Sequence, residues 1–475
     1  MKFVDALRQE DIVTENGMST NSTSLNACVD LFFNIGAMRG QDKERLIATF
    51  SKAFNEDPER AMKLLFWARD VRGGAGERQV FKDIIAYLAE NHDLALKPNL
   101  HLIPEYGRWD DLLTLVGTYL EEDAFTLISD ALIAENGLCA KWMPRKGSVA
   151  EKLRKFTGMS PKQYRKSLVG LTNVVETKMC AGEWDSIEFG KLPSVASARY
   201  QKAFGKNAYE SYSAYIQSLV KGEAKINAGA VYPYDITKSL NYGNSVVANE
   251  QWKALPNYME GANDMILPVV DVSGSMETPA GGNKTVTCMD VAISLGLYIS
   301  QRNEGPFKDA FITFSSTPQL QVLSGSLKDR YTQMSNSDWG MSTNLEATFK
   351  LILDQATKHK LSQDEMPNKI LILSDMEFNQ ATGSRGWRNE TEWNPTAQQM
   401  IEKMYSDAGY KMPQIVYWNI KSRNGGVPVA FDTQGTALVS GFSPAIMTSL
   451  LGGDIESPQQ IMDKTIMSER YAQIV

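Results

Sequence analysis

The stretch Asp271-Val272-Ser273-Gly274-Ser275 sets one carboxylate and two hydroxyls along five residues of chain. It follows the apolar run Met265-Ile266-Leu267-Pro268-Val269-Val270, which reads as a buried strand. At the end of such a strand the three side-chain oxygens are expected to share one tight turn. Oxygen donors of this kind suit a hard divalent cation, Mg²⁺ or another such as Mn²⁺, which prefers oxygen ligands and keeps several waters. Alone the triplet is weak, because Asp, Ser and Gly crowd any turn.

The elements that must carry these residues follow from the apolar pattern. Beyond about residue 256 the sequence alternates: strands are expected at Ile266–Val270, Asp309–Phe314, Lys369–Leu373 and Gln414–Asn419, with a last one at Thr436–Gly441 before a terminal helix. Strands alternating with helical stretches predict an α/β, doubly wound, mostly parallel sheet covered on both faces. Such sheets bind ligands outside the carboxyl ends of their strands. Asp271 falls there, as does Ser374-Asp375-Met376-Glu377 after the strand Lys369–Leu373. From Asp42 to about Val220 the period is helical: Leu46, Phe50 and Phe54 recur at four-residue steps, and Val80, Ile84, Ile85 and Leu88 form another stripe. Stacked helix pairs of the HEAT or armadillo type fit this best, without a clean repeat period. The expected division is a polar N-terminal segment at 1–40, a helical-repeat domain at 41–255 and the sheet domain at 256–475.

The Asp-x-Ser-x-Ser spacing resembles the metal-ion-dependent adhesion site (MIDAS) of von Willebrand factor A domains, whose fold is Rossmann-like. The resemblance extends to two further segments in the family's order. In Gly340-Met341-Ser342-Thr343-Asn344-Leu345, Thr343 matches the threonine placed beside the metal, and Asp375 matches the last acidic ligand. The implied metal set is therefore Asp271, Ser273, Ser275, Thr343 and Asp375. A helical module followed by such a domain is similar in architecture to the Ro autoantigen, the TROVE module plus von Willebrand A. The chain is more similar still to an uncharacterised family of plants, fungi, large DNA viruses and phages with that layout. The carrying segments include Trp67-Ala68-Arg69-Asp70-Val71-Arg72-Gly73-Gly74-Ala75-Gly76-Glu77-Arg78, Lys141-Trp142-Met143-Pro144-Arg145, Lys191-Leu192-Pro193-Ser194 and Val416-Tyr417-Trp418-Asn419. What the Ro resemblance implies is RNA binding: helical repeats in a ring, structured RNA on a basic outer face, and single-stranded ends in the central hole.

Composition narrows the alternatives. No run of eighteen apolar residues occurs, so no membrane span is expected, and the start Met1-Lys2-Phe3-Val4-Asp5 lacks a signal-peptide core. The four cysteines, Cys28, Cys139, Cys180 and Cys288, have no metal-ligand spacing and read as thiols of a cytoplasmic protein. Three scattered histidines give little support to a nucleophile–base pair. Two carboxylates among hydroxyls fall short of a nuclease cluster. No catalytic residues are assigned, and the metal is read as a binding device whose partner supplies a further carboxylate, from another protein or from this chain.

The charge is uneven. The chain carries a net −7, yet Lys141 to Lys206 holds 14 Lys/Arg against 5 Asp/Glu. Arg145, Lys146, Lys152, Arg154 and Lys155 surround one predicted helix. Lys162, Arg165 and Lys166 lie on the next, and Arg199 and Lys202 on a third. Cations on successive helices can neutralise several phosphates at once, and Trp142, Tyr164 and Tyr200 among them can stack bases if they are not turned into the core. The turn Arg72-Gly73-Gly74-Ala75-Gly76-Glu77-Arg78 admits two readings. One is an inter-helix connection in which arginines cap carbonyls. The other is an anion loop built by Arg72, Gly73, Gly74, Gly76 and Arg78. The expectation for function is a non-enzymatic RNA-binding scaffold. The alternative is a protein-interaction adaptor that uses the metal site without RNA, and a metal-dependent hydrolase is a weaker third.

Overall fold

The computed structural model describes residues 12–240, 245–281, 285–314, 317–337, 343–379, 396–423 and 426–475. The quoted Gly340, Met341 and Ser342 and the first eleven residues lie outside them. The chain divides into two compact units. One comprises Met1–Leu64, Tyr232–Lys238 and Asn257–Glu469; the other comprises Leu65–Val231, Ser239–Pro256 and Arg470–Val475.

The first unit is built on a six-stranded mixed sheet. A short hairpin, β1 (Ile12–Val13) and β2 (Ser19–Thr20), stands apart from it. The sheet strands are β3 (Ile266–Asp271), β4 (Ala310–Phe314), β5 (Leu320–Val322), β6 (Lys369–Ser374), β7 (Gln414–Asn419) and β8 (Thr436–Ser440), in the order β5-β4-β3-β6-β7-β8. All neighbours are parallel except β5, which pairs antiparallel with β4. Strands β3, β4, β6 and β8 are buried at every position, as the apolar runs require of a sheet covered on both faces. The edge strand β5, exposed at Leu320 and Val322, was not foreseen: three residues give no period to read. The chain runs outward from β3 through β4 to β5, then returns to β6 and continues to β8. The switch point therefore lies between β3 and β6.

The helix Ala27–Ile35 belongs to this sheet, so the compact units do not divide at residue 40 as the sequence suggested. Its Cys28, Val29, Leu31, Phe32, Phe33 and Ile35 are all fully buried. Its two polar residues, Asp30 and Asn34, share one side, and a helix this apolar over the rest of its circumference has to sit inside a core. Asn26 caps its start by accepting from the Val29 amide. Its end is fastened to β8: the Gly36 amide donates to Ser440 Oγ at 3.0 Å, and that hydroxyl donates to the Phe32 carbonyl at 2.7 Å. A Cβ on Gly36 would drive into the Ser440 carbonyl. Gly36→Ala is expected to cost about 1–3 kcal/mol, seen as a lower urea midpoint with an unchanged slope.

The second unit is helical. Its helices range from four residues (Asp93–Leu96) to fourteen (Arg78–Asn91). Ser160-Pro161-Lys162-Gln163 starts the helix Pro161–Leu171 with a capping box between Ser160 and Gln163. Farther along, Phe189 packs its ring 5.2 Å from Phe204 and 5.0 Å from Tyr212, organising a core under the helices Ser194–Asn207 and Tyr209–Val220. Among the described residues no helix is long and apolar enough to cross a membrane.

Candidate metal centre and basic helical surface

The carboxyl ends of β3 and β6 bring the candidate ligands together at the switch point of the sheet. Val270 pairs with Leu373, so the next residues, Asp271 and Ser374, lie side by side. Ser374 Oγ donates to Asp271 Oδ2 at 2.5 Å, and the Ser273 amide donates to Asp271 Oδ1 at 2.9 Å. The hydroxyls of Ser273 and Ser275 stand 3.0 Å apart. Thr343 is tied to the segment after β6 by a reciprocal contact. Its amide donates to Asn379 Oδ1 at 3.3 Å, and the Asn379 amide donates to its carbonyl at 3.0 Å. Asp271, Ser273, Thr343 and Asp375 are buried, and Ser275 is half-buried.

This arrangement leaves buried polar atoms short of hydrogen bonds. Thr343 Oγ1 is buried and makes no hydrogen bond, and the buried Asp375 carboxylate is met by one guanidinium, that of Arg423 at 3.1 Å, without a well-aligned hydrogen bond. Burial raises the pKa of Asp271, and the nearby Asp375 charge adds to the rise. Burial likewise raises that of Asp375, opposed by Arg423 and the Ser275 hydroxyl. Two buried carboxylates with so little compensation are costly, and a divalent cation would repay that cost through the same oxygens. The donor set fits such an ion: two carboxylates and three hydroxyls, with room in its shell for waters. Among the described residues no group of three or more His, Cys, Asp or Glu is placed to hold a metal; three of the five oxygen donors here are hydroxyls.

Sequence reasoning passed over the groups that frame the centre. Arg423, just past β7, has its Nε 3.1 Å from Asp375 Oδ2, and its Nη2 donates to the Ser275 carbonyl at 2.8 Å. Its Nη1 donates to Glu15 Oε2 at 3.0 Å. Glu15 sits in the turn between β1 and β2. That turn is strapped to the chain after β6: the Glu15 amide donates to Glu377 Oε2, the Asn16 side chain to the Glu377 carbonyl, and Thr14 Oγ1 to the Phe378 carbonyl, each at 2.6 Å. Met376 takes a left-handed conformation (φ 65°) to turn Glu377 toward the hairpin. The only available signal for Arg423 was its position after a strand of the same sheet.

In the helical unit the basic residues lie on the surface of three helices and a loop. Arg145, Lys146, Lys152, Lys155, Lys162, Arg165, Lys166, Arg199 and Lys202 are exposed, and Arg154 is half-buried. Lys152 pairs with Glu121 at 2.8 Å and Lys155 with Glu151 at 3.0 Å. Arg154 caps its own helix end by donating to the Met159 carbonyl, and Arg145 reaches Thr172 Oγ1. Lys146, Lys162, Arg165, Lys166, Arg199 and Lys202 pair with no carboxylate among the described residues. Of the aromatics, Tyr164 is buried and donates to the Pro144 carbonyl at 3.1 Å, and Tyr200 donates to Glu176 at 3.0 Å. Trp142 is half-buried.

The glycine turn is a connection that uses several of its own amides. The Gly74 amide donates to the Asp70 carbonyl, Ala75 to Trp67 and Glu77 to Ala68. A Cβ on Gly74 would overlap the Trp67 carbonyl, so the close approach is made to the preceding helix. Arg78 pairs with Asp110 at 2.5 Å and reaches Asp111 at 3.5 Å. Of the three glycine amides that could face an anion, that of Gly74 is therefore already taken, while the Arg72 side chain stays exposed.

Comparison with known families places these two regions in two adjoining matches. Residues 14–141 and 126–264 match the domain of unknown function DUF2828, and residues 265–473 match the domain of unknown function DUF7788. The chain is also similar to Uncharacterized protein L728 of Acanthamoeba polyphaga mimivirus, 30% identical over 512 positions that cover 94% of this chain and 86% of that protein. With its basic helices in the first match and the Asp271 cluster in the second, the chain belongs to the DUF2828 family.

Proposed function

We propose that this protein is a non-enzymatic, cytoplasmic RNA-binding scaffold of Ro-like architecture. In this reading the helical unit is a HEAT-like, TROVE-type module whose basic face takes structured or single-stranded RNA. The sheet unit is a von Willebrand A-type domain whose MIDAS holds Mg²⁺ or Mn²⁺ through Asp271, Ser273, Ser275, Thr343 and Asp375. When bound, the cation would offer an open coordination position to a carboxylate. The residues around it orient that contact: Ser374 and the Ser273 amide fix Asp271, and Asn379 fixes the Thr343 loop.

The observation that carries the RNA half is the row of exposed cations without carboxylate partners, Lys162, Arg165 and Lys166 above all, in a chain that is acidic overall. Protein–RNA contacts of this kind release condensed counterions. The full chain should therefore bind a short RNA with an affinity that falls linearly on a log–log plot against salt, as fluorescence anisotropy would report. No binding at low salt would end the proposal. The second reading, a protein adaptor without RNA, draws on the buried Thr343 hydroxyl, which makes no hydrogen bond, and on the buried Asp375 carboxylate, and it would survive that result.

A further inference from the structure

Two motifs that look unrelated in sequence, Asp70-Val71-Arg72 and Tyr106-Gly107-Arg108-Trp109, line one cavity of the helical unit. Its volume is about 300 Å³, and Leu138 and Trp142 complete the wall. The base of the cavity is rigid. Arg69 and Asp111 form a buried ion pair at 2.7 Å, and Asp111 also accepts from the Arg108 amide at 3.0 Å. Gly107 permits this packing, because a Cβ there would meet both members of the pair. Asp70 is neutralised by Arg470 and by the Tyr471 hydroxyl at 3.0 Å. The mouth has a different character. Trp109 and Trp142 are half-buried, Arg72 is exposed, and Leu138 is 66% exposed, high for an apolar side chain. The Arg108 guanidinium already stacks 3.6 Å from the centre of the Trp142 ring.

We propose that this cavity takes one unpaired nucleobase, stacked on the Trp109 indole and on the Arg108 guanidinium that already covers Trp142, with its phosphate held by Arg72. The inference rests on the RNA reading above and assigns it a site that the basic helices alone do not supply. A flat aromatic body with a negative group suits walls made of indole and guanidinium. The size is that of a small-ligand pocket. Continuity of the chain supplies the direction. Trp142 is followed within three residues by the exposed Arg145 and then Lys146, and Pro144 between them anchors the helix of Lys162, Arg165 and Lys166 through Tyr164. A strand with one base in the cavity would lead its next phosphates onto those cations. Glu105, exposed at the rim, can accept from an exocyclic amino group and would disfavour bases that lack one.

The test uses the full chain, a fluorescein-labelled unstructured oligoribonucleotide rich in adenosine and bearing one 4-thiouridine beside an adenosine, so that the adenine can enter the cavity and the thiouridine cross-link at its mouth, and adenosine monophosphate as competitor. Arg72→Glu and Trp109→Leu should each weaken oligonucleotide binding about tenfold, and photocross-links should map to peptides containing Trp109 or Trp142. Circular dichroism and thermal melts check that both variants keep the fold. If both folded variants bind like wild type, with cross-links confined to residues 145–202, the cavity assignment fails and the RNA reading stands. If the monophosphate binds in an Arg72-dependent way and the oligonucleotide does not, the cavity is a site for free nucleotides and the RNA reading fails. If neither binds, both fail.

Discussion

Asp271→Ala is expected to abolish Mg²⁺ and Mn²⁺ binding by the full chain in isothermal titration calorimetry. In thermal melts, wild type at a cation concentration about 100 times its dissociation constant should gain about 2.7 kcal/mol, and the variant should gain nothing. The argument starts from burial. Asp271 and Asp375 are both withdrawn from water, and each has a raised pKa because of it. A bound cation relieves that cost, and removing either carboxylate takes away half of the charge that attracts it. Alanine at 271 also strands two donors, Ser374 Oγ and the Ser273 amide, and will destabilise the sheet unit for that reason alone. Asp375→Asn strands fewer donors: it keeps the shape of the side chain and an oxygen toward Arg423, and gives up the ion pair with that guanidinium. It should remove the cation-dependent gain, and the melt of the cation-free variant measures the separate cost of the lost ion pair. Equal Mg²⁺ affinity in Asp375→Asn and wild type would mean that these oxygens do not hold the ion. Arg423 bears on the magnitude. With its Nε 3.1 Å from Asp375, it already supplies part of the missing positive charge, so the affinity should be modest.

What could be read in advance, and what could not, follows from how far each signal extends along the chain. Four of the sheet strands were plain because both of their faces are buried, which turns them into continuous apolar runs with recognisable ends. Asp271 and Asp375 came with them, since a strand end is a position as well as a composition. The role of Ala27–Ile35 was hidden because nine mostly apolar residues name no partner; the contacts to Ser440 and Asn419 that place it span some 400 residues of sequence. Arg423 and Glu15 were out of reach for the same reason. They meet each other and Asp375 across loops that carry no period. The glycine turn was legible as a connection between helices, but not as an approach to its own preceding helix, which takes the amides of Gly74, Ala75 and Glu77.

Replacing Lys162, Arg165 and Lys166 together with glutamate should lower RNA affinity by at least about tenfold at physiological salt and reduce the log–log salt slope by about 2. The helix should tolerate the change. All three side chains are exposed, its start is secured by the Ser160–Gln163 capping box, and acidic residues near a helix N-terminus complement its dipole. Lys152 and Lys155 supply the comparison. Each already faces a glutamate of the protein, Glu121 and Glu151, so part of its charge is balanced before any phosphate arrives. Exposed pairs of this kind are weak, and reversing these two lysines should still reduce binding, but by less for each charge removed. A triple variant that binds as tightly as wild type with an unchanged slope would mean that the surplus on this helix is a solvated face. An equal loss per charge from both sets would point to a diffuse field in place of contacts made by particular side chains.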